Sequence, residues 1–425
     1  VYVPTQAFIH GVGQYADYQT IAETWMWETF DTQYLVHGHR NTGKDPIQIA
    51  DRVFNLEGGV EFGGSLRIAE LNSDLTWNTI ELEDCQPITE ELNTEQRAVE
   101  TVEYAVIYLR NNKFVNEKQL GDNISSFNFS REAFYSANWN RQTVLARGLF
   151  IDIKENKIMA RSYEKFFRIN EVRETELAAL KSRLQFPVRA YVKENGFLAI
   201  VSYDYRNDDL FIASKSTNKG DYVEYIKAQL EPYKEKILDA LRYYNEQNIP
   251  MTFVFECVDI EKDPHIIKYE RSKLGLLDAI HNGLIFHSIS YDVLTGLANK
   301  IGCPVKELAY EIKSWEEFRD LYMEAQDEEY QYNGNYIEGF VFEDATGFMT
   351  KCKTGYYNFW KFMRSVADST LRSGHYRRTG ALQTAESNSF YGFCRKCFHD
   401  DRNKETKVYP YKTDIISLRE KFLNN

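Results

Sequence analysis

No apolar run in this 425-residue chain approaches the roughly 18 residues that a membrane-crossing helix needs. The opening residues, Val1-Tyr2-Val3-Pro4, lack the basic stretch and apolar core of a secretory signal. Cysteine is scarce: Cys85, Cys257, Cys303, Cys352, Cys394 and Cys397 are too few for a disulfide framework at this length. A reducing, cytoplasmic setting is therefore expected. Cys394 and Cys397 form a CxxC, but no second pair follows and only His399 stands nearby, too little for a zinc site. Positive charge is in the minority, 51 Lys and Arg against 63 Asp and Glu, net −12. That excludes a uniformly basic nucleic-acid coat, though not a basic groove on an acidic body.

What is abundant is core material. Hydrophobic residues make up 43% of the chain and aromatics 15%, enough for two or three soluble, globular domains. Residues 1–80 read as short strands and turns with glycines at 58, 59, 63 and 64. A polar segment over 81–100, with seven carboxylates against one arginine, reads as a linker. Residues 101–365 alternate between β-like runs (Val102–Leu109, Gly148–Ile153, Phe197–Tyr203, Thr252–Asp259, Ile337–Phe342) and helical ones, of which Asp221–Asn245 and Trp315–Gln331 are the clearest. Residues 366–425 read as a helical domain.

Two Lys-x-x-Gly sequences occur, at Lys118 and Lys193, about the number expected by chance. Only Lys193-Glu194-Asn195-Gly196 opens into a strand with further polar residues in order behind it. Strand alternation groups Glu256 with Val254 and Val258, Glu338 with Phe340 and Phe342, and Lys351 with Lys353. Each alone reads as a solvated residue on an outer face. Unpaired charges on apolar faces are costly, so together they imply one shared polar pocket.

The series Lys193-x-x-Gly196, Ser214-Lys215, Phe255-Glu256, Glu338-Gly339-Phe340-Val341 and Lys351-x-Lys353 resembles that of covalent nucleotidyltransferases. Upstream lie Ser125-Ser126-Phe127-Asn128-Phe129, Ala146-Arg147-Gly148-Leu149-Phe150 and Glu164-Lys165-Phe166-Phe167-Arg168-Ile169-Asn170-Glu171. With these, the chain resembles the phage-type RNA ligase 1 family and its fungal tRNA-ligase relatives over roughly residues 100–365. The resemblance implies an α+β adenylyltransferase fold of antiparallel sheets with flanking helices, a small helical C-terminal domain and a β-rich N-terminal segment. It implies an ATP-dependent RNA ligase joining 5′-phosphate and 3′-hydroxyl ends through lysyl-AMP on Lys193, with Mg²⁺ or Mn²⁺, RNA as partner and broken tRNA as substrate. ATP rather than GTP rests on the family, because Lys-x-x-Gly serves both.

By the same resemblance Lys351 and Lys353 are catalytic. Arg147, Lys165, Phe167, Val192, Glu194, Gly196, Lys215, Glu256 and Glu338 hold the nucleotide or its metal. Lys193 must be neutral to attack, so a depressed pKa is expected, with Lys351 and Lys353 supplying the repulsion. Between Lys351 and Arg378 seven basic residues interleave with Tyr356, Tyr357, Phe359, Trp360 and Tyr376. That segment is either an RNA-stacking surface or a helix with its aromatics turned inward.

Residues 1–80 resemble the C-terminal part of a calcineurin-like metallophosphoesterase, with His10 and His39 as late metal ligands of an incomplete site. Further end-healing domains are expected upstream of Val1. The alternatives are a metallophosphoesterase that heals RNA ends, a DNA ligase, or an mRNA capping guanylyltransferase. The last two usually carry an OB-fold after the Lys-x-Lys strand, where this sequence reads as helical.

Overall fold

The computed structural model describes residues 18–29, 32–38, 46–58, 64–72, 76–82, 101–401 and 414–424, and the chain divides into compact units at 1–97 and 98–425. In the first unit, strands β1 (Leu35–His37), β2 (Gln48–Ala50) and β3 (Val53–Asn55) form a sheet in the order β1-β3-β2, and β4 (Leu66–Leu71) pairs with β5 (Trp77–Leu82). Val53 and Phe54 are fully buried there, Phe54 stacked on Trp77. His10 and His39 lie outside the described residues, as does most of the 81–100 segment. Among the described residues no group of three or more potential metal ligands comes together.

The second unit opens with a helix, Val102–Asn111, where the sequence reads as strand. Thr101 caps it by accepting from the Tyr104 amide, and Ala105, Val106 and Leu109 form its buried stripe. Their i, i+1, i+4 spacing is helical, and the β-branched residues in the run do not override it. The strands that follow are β6 (Val115–Gly121), β7 (Ile124–Phe129), β8 (Leu149–Asp152), β9 (Lys157–Arg161), β10 (Val188–Lys193), β11 (Phe197–Asp204), β12 (Asp209–Ser214), β13 (Met251–Val258), β14 (Lys273–His281), β15 (Leu308–Ile312), β16 (Gly339–Glu343) and β17 (Met349–Lys353). They build three four-stranded antiparallel sheets, ordered β6-β7-β8-β9, β12-β11-β13-β14 and β15-β10-β16-β17.

Each sheet has its own apolar backing. Phe253, Phe255 and Leu276 of the second sheet pack on the helices Asp221–Leu230, Lys234–Glu246 and Tyr291–Ile301. The long helix expected over 221–245 is broken at Glu231–Tyr233, where Pro232 starts a new turn. Val188, Ala190, Phe340 and Phe342 of the third sheet pack on Phe318 of the helix Trp315–Ala325. Because strand side chains alternate, that packing leaves Tyr191 and Lys193 of β10, Val341 and Glu343 of β16, and Met349, Lys351 and Lys353 of β17 on the opposite face.

The helix Gly355–Ser373 runs straight through position 365, so no domain boundary falls there. Tyr357 and Trp360 are buried in a core with Phe390, Cys394, Ile415 and, from the loop after β13, Ile266 and Ile267. Tyr356, Phe359 and Tyr376 pack against that core. The aromatics of 351–378 therefore face inward. No helix is long and apolar enough to cross a membrane among the described residues.

Candidate active site

Lys193 ends β10 opposite Gly339, the first residue of β16. Its Nζ lies 3.1 Å from Glu338 Oε1, and Lys353 Nζ reaches the same oxygen at 2.8 Å. The Glu338 carboxylate is 4% exposed as a residue, so it is a buried anion held between two ammonium groups. Burial opposes its charge, but Lys193 and Lys353 win and hold its pKa down at about 2. Alternation would have sent Glu338 to the Phe340 and Phe342 face. It does not follow that pattern because the strand begins one residue later, at Gly339 with φ +156°. A Cβ there would sit 2.1 Å from the Cys352 carbonyl oxygen.

Asn195, inside the Lys-x-x-Gly turn, is 3% exposed and fully engaged. Its Nδ2 donates to Glu338 Oε2 at 2.8 Å, its Oδ1 accepts from the Ile266 and Ile267 amides, and its own amide donates to the Tyr269 hydroxyl at 2.7 Å. Gly196 donates its amide to Glu256 Oε1 at 3.0 Å, and a Cβ on it would meet the Cys257 carbonyl oxygen at 2.2 Å. The motif thus ties the end of β10 to both carboxylates. Asn195 was not singled out in the sequence, although the signal was inside the motif itself.

Cations crowd the remaining wall. Lys351 leaves β17 over the Phe166 ring at 4.2 Å. Lys165 lies over Phe167 at 4.0 Å and pairs with Glu171 at 2.8 Å. Phe167 itself packs edge-on against Trp139, and its carbonyl accepts from the Lys351 amide. Arg147 donates to the Tyr163 carbonyl at 3.1 Å, and Lys215 sits over Phe129 at 4.4 Å. Burial and then the fields of Arg147, Lys165 and Lys193 push the Lys351 pKa well below the ordinary lysine value. Burial, Arg147 and Lys165 bring Lys215 to about 8. These groups depress one another because positive charge is in excess here.

Lys193 goes the other way. Burial acts to lower its pKa, but Glu338 and Glu256 outweigh it and raise it. The depressed nucleophile expected from Lys351 and Lys353 is therefore not the resting state, since Lys353 directs its charge onto Glu338 instead. Glu256 in turn is raised, chiefly by burial, with Lys193 opposing and Glu338 adding to it.

Between the second and third sheets these residues line one pocket. Arg147, Lys193, Glu194, Glu256 and Lys351 stand around it, with Val192 and Leu198 in its wall. Glu194 is tied to Lys273 at 2.6 Å. Three residues that sequence reasoning passed over, Tyr163, Lys306 and Glu343, also line it.

A family model described as RNA ligase matches residues 145–357, from just before Arg147 to just beyond Lys353. The chain is 26% identical over 328 residues to tRNA ligase 1 of Schizosaccharomyces pombe, covering 69% of this chain and 40% of that protein. It is 27% identical over 228 residues to the tRNA ligase of Candida albicans, covering 47% and 26%. The chain thus spans less than half the length of these relatives. An archaeal ATP-dependent RNA ligase structure is similar with a TM-score of 0.44 at 11% identity, covering 79% of each chain.

Proposed function

Because the chain belongs to the RNA ligase family, we propose that residues 98–425 form an ATP-dependent RNA-sealing unit that works through lysyl-AMP on Lys193. The carrying observation is that Arg147 and Lys351 line the pocket with Lys193, that Lys165 and Lys215 stand close enough to share their fields, and that Lys353 meets Lys193 at Glu338. Mutual depression among such cations is relieved by a polyanion, and a nucleoside triphosphate is one of fitting charge.

In the first step the neutral Lys193 amine attacks the α-phosphorus. A P–N bond forms, the bridging P–O bond to the β-phosphate breaks, and pyrophosphate leaves with that electron pair. Lys351 and Lys353 face the charge that develops on the α-phosphate. The proton must first leave Lys193, which Glu338 retains there in the resting site. Engagement of Glu338 by a ribose hydroxyl would weaken its hold on that proton, and a divalent ion held by Glu338, when bound, would neutralise the carboxylate further. Next an RNA 5′-phosphate oxygen attacks the AMP phosphorus and the P–N bond breaks, returning the electron pair to Lys193. Finally a 3′-hydroxyl attacks the RNA phosphate and expels AMP.

Glu256 and Glu338 supply two carboxylates, too few for a closed cage. They fit an ion such as Mg²⁺ or Mn²⁺ that completes its shell with phosphate oxygens and water. Such an ion, when bound, would neutralise phosphate charge. Broken tRNA is the proposed substrate, on the strength of the two fungal relatives' names.

The test is retention of label on denatured protein after incubation with α-labelled ATP, or GTP in parallel, and Mg²⁺. Label from ATP that disappears in Lys193→Ala is expected. Label from GTP alone would move the chain to capping chemistry, and no label in a folded, AMP-free protein would reject the ligase reading.

A further inference from the structure

The pocket that holds Lys193 closes on a polar floor that none of the motif residues supplies. Lys306, in the segment before β15, has its side chain only 10% exposed and lines this pocket. Its Nζ stands over the Tyr191 ring at 4.3 Å and lies 3.7 Å from both Asp278 Oδ2 and Glu343 Oε2. Those distances give ionic attraction but exceed hydrogen-bond reach. A nearly buried ammonium at the pocket wall is thus charge-balanced by two carboxylates without a hydrogen bond to either. Asp278 is already engaged, accepting from the Tyr163 hydroxyl at 2.9 Å and from the Ala279 amide at 2.9 Å. Glu343 also lines the pocket.

Lys193 and Tyr191 share one face of β10, about 7 Å apart along the strand. Lys306, over the Tyr191 ring, therefore lies on the Lys193 side of β10, within the span of one nucleotide. The walls on the way, Leu198, Leu277, Val341, Met349 and Phe166, suit the faces of a flat ring.

We propose that Lys306 and Glu343 read the edge of a 6-aminopurine, Lys306 donating to ring nitrogen N1 and Glu343 accepting from the 6-amino group. A donor beside an acceptor matches the two groups adenine presents there. Guanine reverses both groups, setting its O6 acceptor against the Glu343 carboxylate and its N1–H donor against the Lys306 ammonium. This assignment rests on the proposed nucleotide site, and it adds the specificity that Lys-x-x-Gly does not encode.

The test measures equilibrium affinity by titration calorimetry on the full chain with divalent metal chelated, so that no covalent step intervenes. ATP is compared with purine riboside triphosphate, which lacks the 6-amino group, and with 1-deaza-ATP, which lacks N1. A charge-assisted hydrogen bond corresponds to about tenfold or more in affinity. The wild-type chain is expected to prefer ATP by that factor over each analogue. Glu343→Ala should erase the preference over purine riboside triphosphate, and Lys306→Met the preference over 1-deaza-ATP. Equal binding of the three nucleotides by wild type, or ratios that persist in the variants, would overturn the assignment without depending on how either variant folds. Lysyl-AMP labelling is scored separately. Its failure alongside intact ratios would reject the ligase reading and leave the base-reading pair standing.

Discussion

Lys193, the proposed nucleophile, lines the candidate pocket and yet is held in its protonated form. Its pKa is raised because Glu338 and Glu256 outweigh burial, so the neutral amine forms only as pH climbs above the ordinary lysine range. Single-turnover lysyl-AMP formation should therefore rise with pH through the alkaline range. In Glu338→Gln the profile should move to lower pH, even if its plateau falls. A profile that keeps its midpoint in that variant would sink the account. Lys351 tests the opposite case. It is buried among other cations, and Lys351→Met should cost on the order of 100-fold or more in the adenylylation rate while leaving thermal stability equal or higher, because a repulsive charge is gone.

Asp278 makes a stability prediction at the same scale. Burial, only partly offset by Lys306 and Tyr163, raises its pKa from 3.8 to about 6. An acid whose folded pKa exceeds its unfolded value favours the folded state at low pH. That advantage is lost as pH rises from about 4 through 6. The displacement corresponds to at most about 3 kcal/mol. Asp278→Asn, which keeps an acceptor for Tyr163, should then unfold at higher denaturant than wild type at pH 7.5 and nearly equally at pH 4. A difference that does not depend on pH would show that this carboxylate is not titrating as described.

At the scale of elements, the turn between β10 and β11 acts as a joint for three parts of the molecule. Asn195 clamps β10, Glu338 before β16 and the Ile266–Ile267 loop. Asn195→Asp retains an acceptor for the two amides but places a second carboxylate against Glu338, where an N–H now donates at 2.8 Å. It should cost about 2–4 kcal/mol in denaturant unfolding and suppress labelling more strongly than Asn195→Ser. Gly196→Ala has no such graded version. Its Cβ would lie 2.2 Å from a backbone oxygen of β13, so that strand and Glu256 must shift.

At the scale of the whole second unit, the last helix braces the candidate active site. Arg419, 5% exposed, donates to the Ile266 carbonyl at 3.1 Å and lies over Tyr356 and Trp360, 5.3 Å from each ring. Ile266 and Ile267 in turn hold Asn195. Arg419→Ala leaves that carbonyl unpaired in a closed core, at a cost of about 2–3 kcal/mol. It should lower lysyl-AMP yield at temperatures where wild type is still fully active. Full activity in a measurably destabilised Arg419→Ala protein would separate the brace from the site.

The sequence alone carried much of this. The order Lys193, Glu256, Glu338, Lys351, Lys353 and the period-two alternation put Lys351 and Lys353 on one strand face, and three- and four-residue spacing marked the helices at 221 and 315. These are local properties, written in the spacing of side chains along a rise of fixed length. The same local reading failed at Val102–Leu109, where β-branched composition concealed a helical stripe, and at Glu338, where the strand starts one residue late. Tertiary structure alone decided the rest. β10 lies beside β16, so Glu338 meets Lys193 from 145 positions further along the chain, and the loop after β13 meets a helix near the C-terminus. Charge state and base-reading capacity depend on such distances, which fall steeply with separation and burial. No pattern along the chain encodes which carboxylate ends up 3 Å from which lysine.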